Sequence, residues 1–221
     1  MRPACLALLL FISAPGFAQT APLTQGEIQD LLRRIRQIRA QAPNVEAEFR
    51  EEKTIRLLTK PVVTSGKIWF EAPNKFRREI TGHSSSVTVS NGRDLWIYYP
   101  NFKSAEHYSL GKRSPVDAAI TTINAALNLE NVESSFSISG SKTDNHYELE
   151  LRPRAAAMKR LFEKFVLWLD RDFFAERTEM LQPNDERVVT TYSNHSRAPI
   201  PASTFEFTPP PGTDVTTPLG R

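Results

Sequence analysis

The sequence predicts an α+β chain that is mostly β: a large antiparallel sheet in meander order, curled or barrel-like, with one helix ahead of it and one inserted in it. Three observations predict this. The apolar period is helical up to Gln41, then changes to two after Asn44 and stays there for most of the chain. Asn, Asp, Gly and Pro separate the period-two runs at short, regular intervals. One internal segment, near 115–128, returns to helical spacing and cannot continue a sheet, so it must lie across a face or the mouth of the curve.

The elements follow in order. Arg2, the apolar run Ala4–Ile12 and the small residues Gly16 and Ala18 around Phe17 read as a secretory signal peptide over residues 1–18. That run is too short to span a bilayer, which takes about 20 residues. Cys5 precedes the run, where a lipoprotein acceptor would not be, and it is the only Cys. Residues 19–221 are read as a single domain without a disulfide, free of a stray thiol in an oxidising compartment. Thr24-Gln25-Gly26-Glu27 is a capping box. Ile28, Leu31, Leu32, Ile35 and Ile38 then recur on one face, acids early and arginines late, until Pro43, which predicts a helix over 25–41.

Next, Val45, Ala47 and Phe49 alternate with Glu46, Glu48 and Arg50. Further strands are expected at Val62–Phe70, Lys75–Ile80, Ser86–Ser90 and Asp94–Tyr99, the last two joined through an Asn91-Gly92 two-residue turn. Ser104–Leu110, Val132–Ser139, His146–Arg152, Phe165–Asp170, Ala175–Leu181, Arg187–Ser193 and Thr204–Phe207 complete the set. The inserted helix starts on Ser114-Pro115 and carries Val116, Ala119, Ile120, Ile123, Ala126 and Leu127 at helical spacing. Ala155–Glu163 is a weaker helical candidate.

Composition excludes several classes. The net charge is +3 over 221 residues, and removing Arg2 lowers it by one, too little to mark a nucleic-acid binder. His83, His107, His146 and His195 have no metal-pair spacing, and no phosphate loop or dinucleotide fingerprint is present, so neither metal nor cofactor is expected. Gly82-His83-Ser84-Ser85-Ser86 lacks the closing Gly of a nucleophile elbow and reads as a turn. Glu51 and Glu52 point to opposite strand faces. The basic stretch Arg152, Arg154, Lys159, Arg160 and Lys164 reads as a solvated face that could also touch acidic headgroups or a partner. Residue chemistry alone supports no enzyme. What stands out is an aromatic content of 10% in a chain with mean hydropathy of −0.38.

Three motifs carry a resemblance. Gly66-Lys67-Ile68-Trp69-Phe70-Glu71-Ala72-Pro73-Asn74-Lys75-Phe76, then Val89-Ser90-Asn91-Gly92-Arg93-Asp94-Leu95-Trp96-Ile97-Tyr98-Tyr99-Pro100, then Phe205-Glu206-Phe207-Thr208-Pro209-Pro210-Pro211-Gly212 follow a signal peptide and an amphipathic helix. In that order, and across roughly 28–215, they resemble the periplasmic lipoprotein carrier family LolA. The resemblance implies an unclosed β-barrel whose helices form a lid over an apolar cavity. It implies a periplasmic monomer that shields the acyl chains of a lipoprotein or other acylated cargo. An inner-membrane LolCDE-type ABC transporter would load it and an outer-membrane LolB-type receptor would accept the cargo. Phe49, Trp69, Phe76, Trp96, Phe136, Phe165 and Phe207 are the acyl-binding candidates on strands, and Ile120, Ile123 and Leu127 those on the lid helix. The chain departs from the family at Ala72, where the pattern has the Arg that tethers the closed lid; Arg77 and Arg78 are nearby. Three other readings stay open: a shuttle for another acylated molecule such as a glycolipid, a secreted lipid hydrolase, and an envelope adaptor that binds no ligand.

Overall fold

The structure, a computed structural model, describes residues 20–110, 129 and 132–218. Its strands are β1 (Ala21–Pro22), β2 (Asn44–Thr54), β3 (Val62–Glu71), β4 (Lys75–Thr81), β5 (Ser86–Ser90), β6 (Asp94–Tyr99), β7 (Ser104–Ser109), β8 (Phe136–Lys142), β9 (His146–Pro153), β10 (Lys164–Asp170), β11 (Ala175–Leu181), β12 (Arg187–Ser196) and β13 (Asp214–Thr216). Helix α1 spans Gln25–Gln41, and one-turn helices α2 and α3 span Val132–Ser135 and Ala156–Lys159. The strands form one curved sheet in the order β1-β8-β9-β10-β11-β12-β2-β3-β4-β5-β6-β7-β13. Its end strands, β1 and β13, do not meet, so the barrel is unclosed.

The meander is therefore two meanders. β2 to β7 pair in sequence and β8 to β12 pair in sequence, and β12 closes on β2 across the middle. All pairings are antiparallel except β13 on β7. Four local expectations are corrected. Val132–Ser135 is a helical turn rather than the start of a strand, because Val132 is drawn fully into the core under α1. The 155–163 candidate forms only one turn, without a side-chain cap. The β5–β6 turn holds three residues, with Gly92 at φ 88° and the Asn91 side chain accepting from Arg93 and Asp94 backbone N–H. Thr204–Phe207 is not a strand: Ala202–Phe205 is a 3-10 turn, followed by irregular chain. The inserted helix at 115–128 and the signal peptide at 1–18 lie outside the described residues.

Pairing carries one face across the sheet, since directly opposed residues share a side. Phe136 and Ile138 of β8 align with Pro153 and Leu151 of β9, and Leu149 and Leu151 align with Leu167 and Phe165 of β10. α1 packs its apolar stripe, Ile28, Leu31, Leu32 and Ile35, into this face, and with Leu129, Val132 and Phe162 they make the main core. We call it the inner face. The outer face has its own cover over β4–β7. The C-terminal segment crosses there, burying Phe205 and placing Phe207 against Trp96 and Tyr98, with ring centres 5.8 and 5.5 Å apart. Arg77 holds that segment by donating to the Thr204 carbonyl at 3.2 Å. At Gly66 a Cβ would meet the Glu79 carbonyl oxygen at 1.7 Å, so the motif glycine permits a backbone approach no other residue allows.

The start of α1 is pinned by charge. Thr24 and Glu27 cap each other, and Lys142 of β8 donates to Glu27 at 2.8 Å. These hydrogen bonds, Lys142 first, lower the Glu27 carboxyl from 4.5 to about 2. A depressed carboxylate gives stability that is present above its ordinary value and is lost as pH falls toward the folded value. The melting temperature of the wild-type protein is thus expected to fall more steeply than that of Glu27→Gln between pH 4.5 and about 2. Parallel melting curves across that window would contradict this tether.

Candidate functional site: an apolar recess beside the first helix

The inner face continues from β10 through β11, β12, β2 and β3. Leu167 aligns with Thr178, Thr178 with Thr190, Tyr192 with Phe49, Ala47 with Ile68 and Val45 with Phe70. α1 covers the β8–β10 side of this surface. Beside its C-terminal end an open recess of about 100 Å³ remains, with Val45, Ala47, Ile68, Phe70, Leu167 and Tyr192 among its lining residues. Arg39, Phe173, Phe174, His195 and Arg197 contribute at the end where α1 stops. The volume is a few water molecules' worth, well short of the roughly 300–1,000 Å³ of a pocket that encloses a drug-sized ligand. Ile28, Leu31, Leu32 and Ile35 of α1 fill the apolar surface over β8–β10 beside it.

His195, Arg197, Tyr192 and Thr178 at the recess each make a hydrogen bond within the protein. His195 Nε2 donates to the Ala175 carbonyl oxygen at 2.7 Å, and its ring lies 4.8 Å from that of Phe174. Arg197 stacks 3.7 Å over Phe174 and donates to the Asp172 carbonyl at 2.6 Å. Its Nε is buried without a hydrogen-bond partner among the described residues, and burial lowers its pKa. Tyr192 and Thr178 share a hydrogen bond at 3.3 Å, and desolvation raises the Tyr192 phenol. Further along the same face Arg78 donates to Glu51 at 2.9 Å, Thr190 donates to the same carboxylate at 3.2 Å, and the Arg78 guanidinium lies 4.4 Å over Phe49.

The sequence candidates divide by face. Phe49, Phe76, Phe136 and Phe165 share the inner face with α1. Trp69 and Trp96 are on the outer face. Trp69 donates to Glu46 at 3.0 Å, and Trp96 stacks on His107 with centres 4.2 Å apart and meets Phe207. Of the inner four, Phe136 is fully buried in the α1 core and none lines the recess itself. Ile120, Ile123 and Leu127 lie outside the described residues. Ala72 donates its backbone N–H to Pro43 at 3.0 Å, beside the recess. Arg77 faces outward to Glu79 and Thr204, and Arg78 is the one that faces inward.

Sequence reading missed Ile68, Phe70, Phe173, Phe174 and the Tyr192–Thr178 pair. Parity could have found Ile68 and Phe70, which alternate with Lys67 and Trp69; the contribution of the β10–β11 turn has no sequence signal. Gly82–Ser84 is a turn between antiparallel strands, with Asn101 donating to the His83 carbonyl at 2.8 Å. Among the described residues no group of three or more His, Cys, Asp or Glu could hold a metal ion. No helix among them is long and apolar enough to cross a membrane.

The outer-membrane lipoprotein carrier protein of Dechloromonas aromatica (strain RCB) is 26% identical over 215 residues, covering 96% of this chain and 92% of that one. The protein of the same name from Serratia proteamaculans (strain 568) is 24% identical, covering 89% and 90%. An uncharacterized conserved protein from Thermus thermophilus shares the fold with a TM-score of 0.52 at 12% identity, covering 86% of this chain and 98% of that one. The model of the family described as outer membrane lipoprotein carrier protein LolA matches residues 40–208, from the last turn of α1 to the segment that crosses the outer face, and the chain belongs to that family.

Proposed function

We propose that this protein is a periplasmic carrier that shields the acyl chains of lipoproteins and moves them from the inner to the outer membrane. One observation carries the reading: an amphipathic helix, pinned by surface ion pairs, packs its apolar stripe on the inner sheet face and leaves a largely apolar recess at its end. The magnitudes suit exchange. Burying Ile28, Leu31, Leu32 and Ile35 contributes on the order of 6–12 kcal/mol at about 1.5–3 kcal/mol per side chain. An acyl chain burying about fifteen CH₂ groups recovers roughly 12 kcal/mol. Cargo can therefore displace the α1 stripe at little net cost, and release needs no large input.

Extraction is different. An acyl chain leaving a bilayer is already buried, so an apolar recess offers no drive to remove it. The energy is supplied by a LolCDE-type transporter on the inner membrane, and a LolB-type receptor with a slightly better pocket takes the cargo. Phe49, Phe76, Phe136 and Phe165 on the inner face, with the recess lining, are the proposed acyl contacts.

The purified protein is expected to form a soluble complex with labelled lipoprotein only when transporter and ATP are both present. Failure to do so would sink the proposal. A second reading, a shuttle for another acylated molecule such as a glycolipid, is favoured by Ala72 at the tether position and by the inward polar set Arg78, Glu51 and Thr190. Native mass spectrometry of gently prepared protein separates the two by the mass of what is bound.

A further inference from the structure

Exposed apolar side chains among the described residues are not scattered. Among the described residues, Leu57, Leu58, Val62, Val63, Phe102 and Leu161 are the exposed large ones apart from Val215. Register places all six at one rim of the sheet. Lys164 pairs with Leu181, Leu181 with Arg187 and Arg187 with Thr54, so the β9–β10 connection and the β2–β3 turn share an end. Thr81 pairs with Ser65, Val87 with Tyr98 and Tyr99 with Ser104, so the Pro100–Phe102 turn shares it too. Val215 lies one pair in from this rim, opposite Ala105. The β2–β3 hairpin extends past β4, since Val62–Thr64 lie beyond Ser65, where pairing with β4 begins. At its tip Leu57 is 92% exposed.

Each apolar tip has its own cation. Arg56 and Lys60 flank Leu57-Leu58, Lys103 follows Phe102, and Lys159-Arg160 precede Leu161. All five are exposed, and none forms an ion pair among the described residues. The exposed acids of the rim are Glu163, Asp185 and Asp214, which pairs with Ser104, while Glu186 faces Lys53 at 3.6 Å.

We propose that this rim docks on the surface of an anionic phospholipid bilayer. Leu57 and Leu58 enter the boundary between headgroups and acyl chains, Phe102 and Leu161 seat at its edge, and the adjacent cations meet lipid phosphates. The pattern fits a bilayer rather than a protein partner. A protein interface wants one contiguous apolar core depleted of charge. Here the apolar tips stand on three separate connections with cations between them, and a fluid plane of headgroups accepts such tips without matching their shape. Docked this way, the recess, whose Phe173 and Phe174 belong to the β10–β11 turn at the opposite rim, faces away from the membrane and stays open to a partner.

Co-sedimentation with vesicles tests this. The purified protein is expected to bind vesicles of phosphatidylcholine mixed with phosphatidylglycerol about tenfold or more tightly than phosphatidylcholine alone, and less tightly as salt rises. Leu57→Ser with Leu58→Ser, and separately Arg56→Glu with Lys60→Glu, each lower that binding by about tenfold or more. The hairpin tip is exposed, so neither pair should shift the melting temperature. Absence of vesicle binding by the wild type overturns the proposal, as does binding that both variants retain. So does a Leu57/Leu58 variant that keeps vesicle binding but loses a protein partner. None of these substitutions touches the recess, so the proposed carrier function stands or falls separately.

Discussion

Phe136→Ala is expected to cost about 3–5 kcal/mol of folding free energy, the largest single-residue effect in this protein. Phe136 has no exposed surface, stands at the first position of β8, and packs against the Phe162 ring at 6.1 Å and the α1 stripe. The backbone around it is fixed on two sides: Arg154 donates both its backbone N–H, to Ser135, and its guanidinium Nε, to the Phe136 carbonyl at 2.9 Å. With the backbone held, the site cannot collapse onto the space a removed ring leaves, so the cavity term adds to the transfer term. Urea unfolding should show a lower midpoint with an unchanged slope. Phe102→Ala, at a side chain 80% exposed, should stay within about 0.5 kcal/mol of the wild type. Equal losses for the two would refute the assignment of the core.

Ala175→Phe is expected to separate ligand uptake from stability. Ala175 lines the recess beside Leu167, Thr178 and His195, and a benzyl group there would occupy most of the roughly 100 Å³ available. If acyl chains use this surface, denying them even two CH₂ contacts at about 0.8 kcal/mol each weakens binding by roughly tenfold or more. A side chain that fills an existing void has no reason to destabilise the fold, and cavity filling commonly adds about 0.5–2 kcal/mol. A fluorescent fatty-acid analogue titrated into wild type and variant, with melting temperatures alongside, reads both effects. Unchanged affinity would place the acyl site elsewhere on the inner face; loss of affinity together with loss of stability would show only that the variant is damaged.

Much of the fold was legible because period and capping are local properties. α1 begins and ends where Thr24 and Pro43 say it should, and the strands from β3 to β6 and β9 to β11 lie within a residue or two of their period-two runs. Local signals misled where burial outweighed propensity. Val132 reads as strand by its neighbours, but a helical turn carries it into the core. Phe205 and Phe207 alternate as in a strand, yet they cap the outer face from irregular chain because Trp96, Tyr98 and Val89 already present an apolar surface there.

The candidate site was only half legible, for one physical reason. Side chains alternate faces along a strand, so sequence gives the parity within each strand but not which parity faces inward, nor how parities join across strands. Phe49, Phe76, Phe136 and Phe165 share a face, while Trp69 and Trp96, equally aromatic and equally periodic, are on the other. Sequence by itself determined most of the strands from β2 to β12, the capped first helix, the motif glycine and the family resemblance, all of which rest on neighbours along the chain. Only the tertiary structure decided that β12 closes on β2, that α1 covers the inner face and leaves a recess, and that three distant loops bring Leu57, Phe102 and Leu161 to one rim. Those are consequences of pairing between strands far apart in sequence, and no local pattern encodes them.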